Sequence, residues 1–364
     1  MSVEGGDARA ARRSRGSHDK AVLQLRDMFL RQEQASARMG APMYADLCKR
    51  SAADVLAGGP VLRVAAAHLD ALPKLTPLRL LGGLHRVVLS GRAPELAAYY
   101  PNVGGTATDP NGRWSAFLAT CDRHRDELSK TLDHPPQTNE VGRAAVLVGG
   151  LAVALAATGR RPVRLLELGA SAGLNLRADR FCVEDRGPPD SPVHLEHVWR
   201  GNVVPAVDID VVERRGCDLA PVDPTTPEGQ LWLTSYVWPD DLARHERLRA
   251  AFAVAAAVPA VVDRASVLDW LRDITPAGGA LTVLWHSAVR LYLTTHERAE
   301  WDRRVAAIGI QARAESPVAH LSLEPADDVR AYAVRLTTWP GGMDRTLGTA
   351  GAHGIPVLWT LDAS

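Results

Sequence analysis

The sequence contains few cysteines, no excess charge of either sign and no long apolar run. Lys plus Arg and Asp plus Glu each number 42 among 364 residues, so bulk charge gives no indication of a nucleic-acid partner. No run approaches the ~18 apolar residues of a membrane span, and the N-terminus lacks the apolar core of a signal peptide. We therefore expect a cytoplasmic protein without a nucleic-acid or membrane partner.

Metal ligation and disulfide bonding are also not indicated. The twelve histidines form no His-x-x-x-His motif, and only His194 and His197 lie three residues apart. Because structural and catalytic metal sites need closely grouped ligands, no metal site is predicted. Four widely separated cysteines are expected to be reduced thiols, in the core or at the surface: Cys48, Cys121, Cys182 and Cys217.

Composition and periodicity divide the chain into three parts. Residues 1–18 are rich in Arg, Gly, Ala and Ser, which indicates a disordered basic tail. Over residues 19–133 apolar side chains recur at helical spacing, which predicts an all-helical N-terminal domain. Over residues 134–364 strand and helix patterns alternate, which predicts an α/β fold with a Rossmann-like, doubly wound, mostly parallel sheet. A segment at about 181–205, rich in Pro, Gly and His, has the character of an insertion.

Seven runs are candidate strands of this sheet: Val163–Leu168, Ala206–Val212, Ala260–Val262, Ala280–Trp285, Val318–Leu323, Ala331–Thr337 and Val357–Leu361. Helical patterns separate most of them, as parallel pairing requires. The last two are joined by a glycine-rich stretch without a convincing helix. We therefore expect these two to form an antiparallel pair at the sheet edge.

The most informative motif is a small-residue turn that follows the first strand. The apolar run ends at Glu167, and Gly169, Ser171 and Gly173 precede a helical pattern that includes Asn175. A strand, a tight loop and a helix start can offer backbone N–H groups to a bound ligand. In a cofactor site, Glu167 would organise the loop or contact an ammonium group, and the glycines would allow close approach.

A second acidic residue is expected at the end of the next strand, where it would bind ribose hydroxyls. Asp218 fits this role, although it lies 45 residues after Gly173, about twice the usual ~20. The insertion accounts for the excess.

The same motif also matches Gly-x-Ser-x-Gly, the nucleophile elbow of serine hydrolases. Ser171 would then be the nucleophile and His286 or His353 the base, but no acid is evident for the triad. The preceding strand looks like the first of the sheet, whereas an elbow strand is central. A tight turn without any ligand is a third interpretation.

Polar side chains also concentrate at the start of the helix before the first strand. Gln137, Asn139, Glu140 and Arg143 follow one another closely there. Thr138 can cap the helix, but a cap does not account for the other four. We expect this cluster to bind the cofactor tail or a polar substrate, with Glu140 as a candidate catalytic residue.

Two further candidates follow strands. His286 ends the fourth strand candidate, and ligands of open α/β sheets lie at the carboxyl ends of strands. Histidine titrates near neutral pH, so His286 is a candidate general base, with a hydrogen-bonded structural histidine as the alternative. Glu324 follows the next strand candidate and could face a substrate.

Several of these motifs together resemble a known family. They are Gln137–Arg143, Glu167–Asn175, Arg215–Asp223, Val237–Asp240 and Trp285–Ser287. The chain resembles an uncharacterised bacterial family, number twenty-three thirty-two among the domains of unknown function. At the superfamily level, the glycine motif is similar to that of class I S-adenosylmethionine-dependent methyltransferases, which usually carry a third glycine at the position of Ser171.

This resemblance implies a methyltransferase that uses S-adenosylmethionine and acts on a small molecule. Glu167, Gly169, Ser171, Gly173, Asn175 and Asp218 would form the cofactor site. Two alternatives stay open, a serine hydrolase and a non-catalytic protein that binds a nucleotide metabolite. The sequence indicates neither the acceptor nor the oligomeric state.

Overall fold

The computed structural model describes residues 4–159, 161–326 and 331–361, with side chains from residue 16 onwards. Its Cα positions group into two compact units. One unit comprises Met1–Thr138 and Leu231–His245, and the other comprises Asn139–Gln230 and Glu246–Ser364.

The first unit is built from helices. The α-helices in its N-terminal part are α1 (Glu4–Arg38), α2 (Pro42–Leu56), α3 (Pro60–Ala65), α4 (Thr76–Leu89), α5 (Pro94–Ala97), α6 (Pro110–Arg123) and α7 (Arg125–Thr131). Proline occupies the first helical turn of most of them, where its missing N–H is not needed. Phe29, Leu47 and Tyr100 are fully buried in one core, to which Trp238 also belongs.

Two features of this unit differ from the sequence prediction. Helix α1 begins at Glu4, so the predicted disordered tail over residues 1–18 is helical from that point; its Ala and Arg residues are strong helix formers. The segment Leu231–His245 belongs to the helical unit although it follows the first sheet strands in the chain. Its Trp238 joins the helical core, a tertiary contact that no local pattern reveals.

The second unit is organised around a nine-stranded sheet. Five strands are parallel neighbours, in the order β6 (Val261–Arg264), β5 (Val211–Asp218), β1 (Val163–Leu168), β7 (Leu281–Ser287) and β8 (Val318–Pro325). Antiparallel strands continue the sheet from β8: β9 (Tyr332–Trp339), β10 (Met343–Ala350) and β11 (Val357–Trp359). The prediction of an α/β fold with a mostly parallel sheet is confirmed.

The insertion supplies the remaining strands. Strands β2 (Cys182–Val183) and β3 (His194–Leu195) pair with each other, and β4 (Trp199–Gly201) pairs in parallel with β11 at the edge of the large sheet. The carboxylate of Glu184 accepts hydrogen bonds from the backbone N–H groups of His197, Val198 and Trp199. These bonds fix the chain as it enters β4.

Two strand predictions need correction. The second strand runs over Val211–Asp218 rather than Ala206–Val212, because the charged residues within it interrupt the apolar pattern. The last two candidates are not paired with each other, since β10 lies between them. Gly341 and Gly342, both with positive φ, turn the chain into β10, a polar strand that resembles a loop in sequence.

Helix α8 (Ala144–Thr158) packs on the sheet and is apolar on all sides. A Cβ at Gly149 would lie 2.2 Å from the Trp359 ring, and one at Gly150 would lie 2.4 Å from Leu321. The prediction that no run of the chain could cross a membrane therefore needs correction. By length and composition Val141–Thr158 could do so, but 78% of it is buried inside the protein. A helix that is apolar all round suits such a buried position.

The remaining α-helices are α9 (Pro227–Ser235), α10 (Leu242–Ala257), α11 (Val267–Trp270) and α12 (Thr295–Ile310). All four cysteines are buried and unpaired. They are thus thiols in the core of the protein and not at its surface.

Candidate functional site

The loop after β1 has the tight geometry that its glycines predict. Gly169 and Gly173 have φ of +76° and +65°, and Ser171 between them has φ of 54°. A Cβ at Gly169 would lie 2.5 Å from Val289 Cγ2, and one at Gly173 would lie 2.9 Å from Val262 Cγ2. Both positions therefore require glycine, whereas Ser171 tolerates the left-handed region at an energetic cost.

The backbone N–H groups of the loop donate to acceptors within the protein. The N–H groups of Gly169 and Ala170 both donate to the Cys217 carbonyl, and that of Gly173 donates to the Ala170 carbonyl. Those of Ala172 and Leu174 donate to Asn139 Oδ1, at 3.2 and 2.8 Å. The expectation that this loop offers N–H groups to a ligand is thus corrected.

Asp218 holds the same loop from the neighbouring strand. Its Oδ2 accepts from the Ser171 N–H at 2.9 Å, and its Oδ1 accepts from the Ala220 N–H at 2.9 Å. The sequence correctly brings this acidic side chain to the glycine loop across the insertion. Both of these donors are backbone groups, so Asp218 fixes the loop after β1 and the turn that follows β5.

The polar cluster before α8 is divided between the two units. Gln137 belongs to the helical unit and is buried there, whereas Asn139 belongs to the sheet unit and fastens the loop. Glu140 Oε1 accepts from the Gly142 N–H at 3.1 Å, as a helix cap does. Arg143 donates to the Ala352 carbonyl and to both oxygens of Ser287, so it joins the start of α8 to the end of β7.

Glu167 is a buried carboxyl group at the carboxyl end of β1. Its side chain is 3% exposed, and its Oε1 accepts from Trp285 Nε1 at 3.2 Å. Burial raises the pKa of Glu167 to about 8, and the Trp285 hydrogen bond only partly opposes this rise. Glu167 is therefore mostly protonated and neutral at pH 7.

Two buried side-chain oxygens on this segment have no hydrogen-bond partner in the part of the chain that the structure describes. Glu167 Oε2 and Asn175 Oδ1 are both buried and lack a hydrogen-bond partner among the described residues. The Nδ2 of Asn175 donates to the Glu140 carbonyl at 3.2 Å, which fixes the direction of its amide. Because Glu167 is mostly protonated, its Oε2 carries the proton, and Asn175 Oδ1 is the unsatisfied acceptor. Unsatisfied buried polar groups cost free energy, so this pair beside a glycine loop indicates a place for a polar ligand.

His286 and Glu324 are brought together at the ends of β7 and β8. His286 Nδ1 lies 2.8 Å from Glu324 Oε1, and His286 Nε2 lies 3.0 Å from His320 Nε2. Since Nδ1 donates to the carboxylate, Nε2 accepts from the His320 N–H in the neutral state. Burial and the neighbouring His286 hold the pKa of His320 well below its usual value.

This arrangement argues against His286 as a general base. Its side chain is 1% exposed, both ring nitrogens are engaged, and its ring packs against Trp301. Glu324 also accepts from the N–H groups of Val289 and Arg290. Burial opposes ionisation of Glu324, but these donors together with His286 give a lowered pKa. The predicted substrate-facing acid is thus an internal anchor.

No motif in the sequence singles out His320. His320 is opposite Leu284 on β7, and Ser322 is opposite His286. Side chains at every second strand position share a face, so His286 and His320 project to the same side. The strand register was the signal that could have revealed this pair.

The structure supplies an acid for the hydrolase interpretation, but it does not bring His286 to Ser171. Glu324 binds the Nδ1 of His286, as a triad acid would. However, the Nε2 of His286 is engaged with His320 rather than with Ser171. The Ala172 N–H, which follows the nucleophile position and would serve an oxyanion hole, donates to Asn139.

No group of three or more metal-ligating side chains occurs among the residues that the structure describes.

Comparison with known proteins gives a family but no activity. The family model described as "Uncharacterized protein conserved in bacteria (DUF2332)" matches residues 26–359. The chain belongs to this family. Neither the curated proteins nor the solved structures contain a match.

Proposed function

We propose that the chain binds S-adenosylmethionine at the carboxyl end of β1 and transfers its methyl group to a small molecule. The sheet topology supports this location. From β1 the chain continues into β5 and β6 on one side of β1, and then into β7 and β8 on the other side. Ligands of open α/β sheets bind at such a reversal of strand order, and β1 lies at this reversal.

The single observation that carries the proposal is the pair of buried side-chain oxygens, Glu167 Oε2 and Asn175 Oδ1, without partners among the described residues. An ammonium group can donate to Asn175 Oδ1, and to Glu167 Oε2 once this carboxyl group has lost its proton. The loop N–H groups are already bonded within the protein. A dinucleotide cofactor needs such groups for its phosphates, whereas S-adenosylmethionine has an ammonium group and no phosphate.

The residues around the loop have separable roles in this proposal. Bound S-adenosylmethionine would supply an electrophilic methyl group. Glu167 and Asn175 would bind its amino-acid end, and Gly169 and Gly173 would let the backbone approach it. Asn139 and Asp218 would keep the loop in shape, and alignment of the acceptor would supply much of the rate enhancement.

The cellular setting forms part of the same proposal. Four buried and unpaired thiols support a reducing compartment, and we place the protein in the cytoplasm. A small-molecule substrate, with no nucleic-acid or membrane partner, accords with the balanced charge.

Calorimetric titration with S-adenosylhomocysteine tests the cofactor site. An ammonium group beside Glu167 favours its ionised form, so binding at pH 7 should release close to one proton. Titrations in buffers of different ionisation enthalpy measure this release. Glu167→Gln should bind more weakly and release no proton, whereas the exposed Glu228→Gln should behave as the wild type.

Absence of binding at about 1 mM ligand, or proton release that persists in Glu167→Gln, would overturn the cofactor site. Binding without turnover over a broad panel of acceptors would instead leave a metabolite-binding protein that is not an enzyme.

A serine hydrolase is the second candidate function. The left-handed φ of Ser171 and the close pair of His286 and Glu324 favour it, because both features occur in triad enzymes. A fluorophosphonate probe would label the wild type and spare Ser171→Ala. If the wild type stays unlabelled, Ser171 is not an activated nucleophile.

A further inference from the structure

A cavity of about 660 Å³ lies beside the glycine loop in the sheet unit. Small apolar side chains form much of its wall: Ala172 from the loop, Ala255 and Ala256 from α10, and Val262 from β6. The segment 221–225, Arg177, Pro259 and Ala260 complete it. This volume is typical of pockets that enclose small molecules.

Arg177 supplies a buried positive charge to this cavity. Its side chain is 4% exposed. Nε donates to the Val258 carbonyl at 2.6 Å, and Nη1 donates to the Gly173 carbonyl at 2.7 Å. Both partners are neutral, so they fix the guanidinium in place without neutralising it.

The nearby carboxyl groups compensate this charge only in part. Burial lowers the pKa of Arg177, against the opposing influence of Glu167 and Asp223. Glu167 is mostly neutral at pH 7, and Asp223 is exposed at the cavity rim, where its Oδ1 accepts from Thr225. A buried guanidinium with so little compensation is stabilised by an anion that enters the cavity.

We infer that the cavity binds a small organic acid, with its carboxylate on Arg177 and its apolar body against the alanines and Val262. A carboxylate matches the single positive charge, and its oxygens can accept from the guanidinium N–H groups that the two carbonyls leave over. A phosphate group carries nearly two negative charges at neutral pH, and the Asp223 carboxylate at the rim opposes the second. This inference does not depend on the proposed methyl transfer. Because Ala172 belongs to both the loop and the cavity, an occupant would lie directly beside the cofactor site.

Ligand-observed NMR with benzoate and hexanoate tests this inference on the full chain without any cofactor. Benzamide serves as the neutral isostere of benzoate, and inorganic phosphate tests for general anion binding. Three variants complete the set. Arg177→Gln removes the charge, Ala256→Trp fills the cavity while Arg177 stays, and Arg200→Gln removes an exposed guanidinium on β4, at the opposite edge of the sheet.

We expect the two acids to bind the wild type and Arg200→Gln equally, and benzamide to bind at least tenfold more weakly than benzoate. Binding of the acids should fall at least tenfold in Arg177→Gln and disappear in Ala256→Trp. Undiminished binding in Ala256→Trp would overturn the inference even if Arg177→Gln failed to fold. So would stronger binding of phosphate than of benzoate, or no binding of either acid at about 10 mM.

Discussion

The carboxylate of Asp218 accepts a hydrogen bond from the backbone N–H of Ser171 at 2.9 Å. This bond connects the end of β5 to the loop after β1, although the insertion separates the two residues in the chain. A ligand role for Asp218 and a structural role therefore coincide at one side chain, and a simple Asp218→Ala substitution would change both.

Asp218→Ala should lower the free energy of unfolding by about 1–3 kcal/mol, since it leaves two backbone N–H groups without their acceptor. Urea denaturation measures this change. Asp223→Ala is the matched control, because Asp223 is exposed and bonds Thr225 within its own turn. Equal stability of Asp218→Ala and the wild type would mean that Asp218 does not fasten the loop.

The stability of the wild type should fall as the pH rises from about 5 to about 9. The folded-state pKa of Glu167 is about 8, against an ordinary value of 4.5, so between these values the folded state binds more protons than the unfolded state. The slope of unfolding free energy with pH is then negative, and ionisation of this group costs about 5 kcal/mol above the folded-state pKa.

Glu167→Gln imitates the protonated form and should show a much flatter stability profile. Urea midpoints of variant and wild type should agree near pH 5 and diverge near pH 9, with the variant more stable. Parallel profiles across this range would contradict the raised pKa.

Ser171→Gly should raise the free energy of unfolding or leave it unchanged, because glycine adopts the φ of 54° without steric cost. Gly169→Ala should lower it by about 2 kcal/mol or more, since the new Cβ would lie 2.5 Å from Val289 Cγ2. The two substitutions are two residues apart in one loop, so thermal denaturation of both gives an internal comparison. Stabilisation by Gly169→Ala would show that the loop has a different conformation.

His286→Ala should lower the free energy of unfolding by about 1–3 kcal/mol, because it removes the donor to the Glu324 carboxylate, whose side chain is only 14% exposed. His296→Ala, at an exposed position near the start of α12, should cost less than about 0.5 kcal/mol. A small effect of His286→Ala on stability, combined with a large effect on turnover, would restore the general-base role.

The sequence was sufficient where local pattern determines structure. Strand β1 runs over Val163–Leu168 as predicted, because a buried parallel strand bounded by glycine has a clear signature. The tight loop and the acidic residue at the end of the next strand were also predicted, since both depend on residue type at one point in the chain.

Prediction failed where distant residues decide the outcome. The sequence predicts that Asn139 binds a cofactor or a substrate, but its partners, the Ala172 and Leu174 N–H groups, come from a loop that folding brings near. The predicted catalytic role of His286 is not supported because its Nε2 is bonded to His320. The proximity of these two residues depends on the register of β7 and β8. In both cases the chemistry of the side chain was clear, and its direction was not.

The pairing of β4 with β11 has a consequence for synthesis. Trp199–Gly201 and Val357–Trp359 are neighbours in space, yet more than 150 residues of chain separate them. During translation β4 has to wait, without its partner, until residue 359 has left the ribosome. The edge of the sheet that β4 forms therefore closes only after residue 359 has been synthesised.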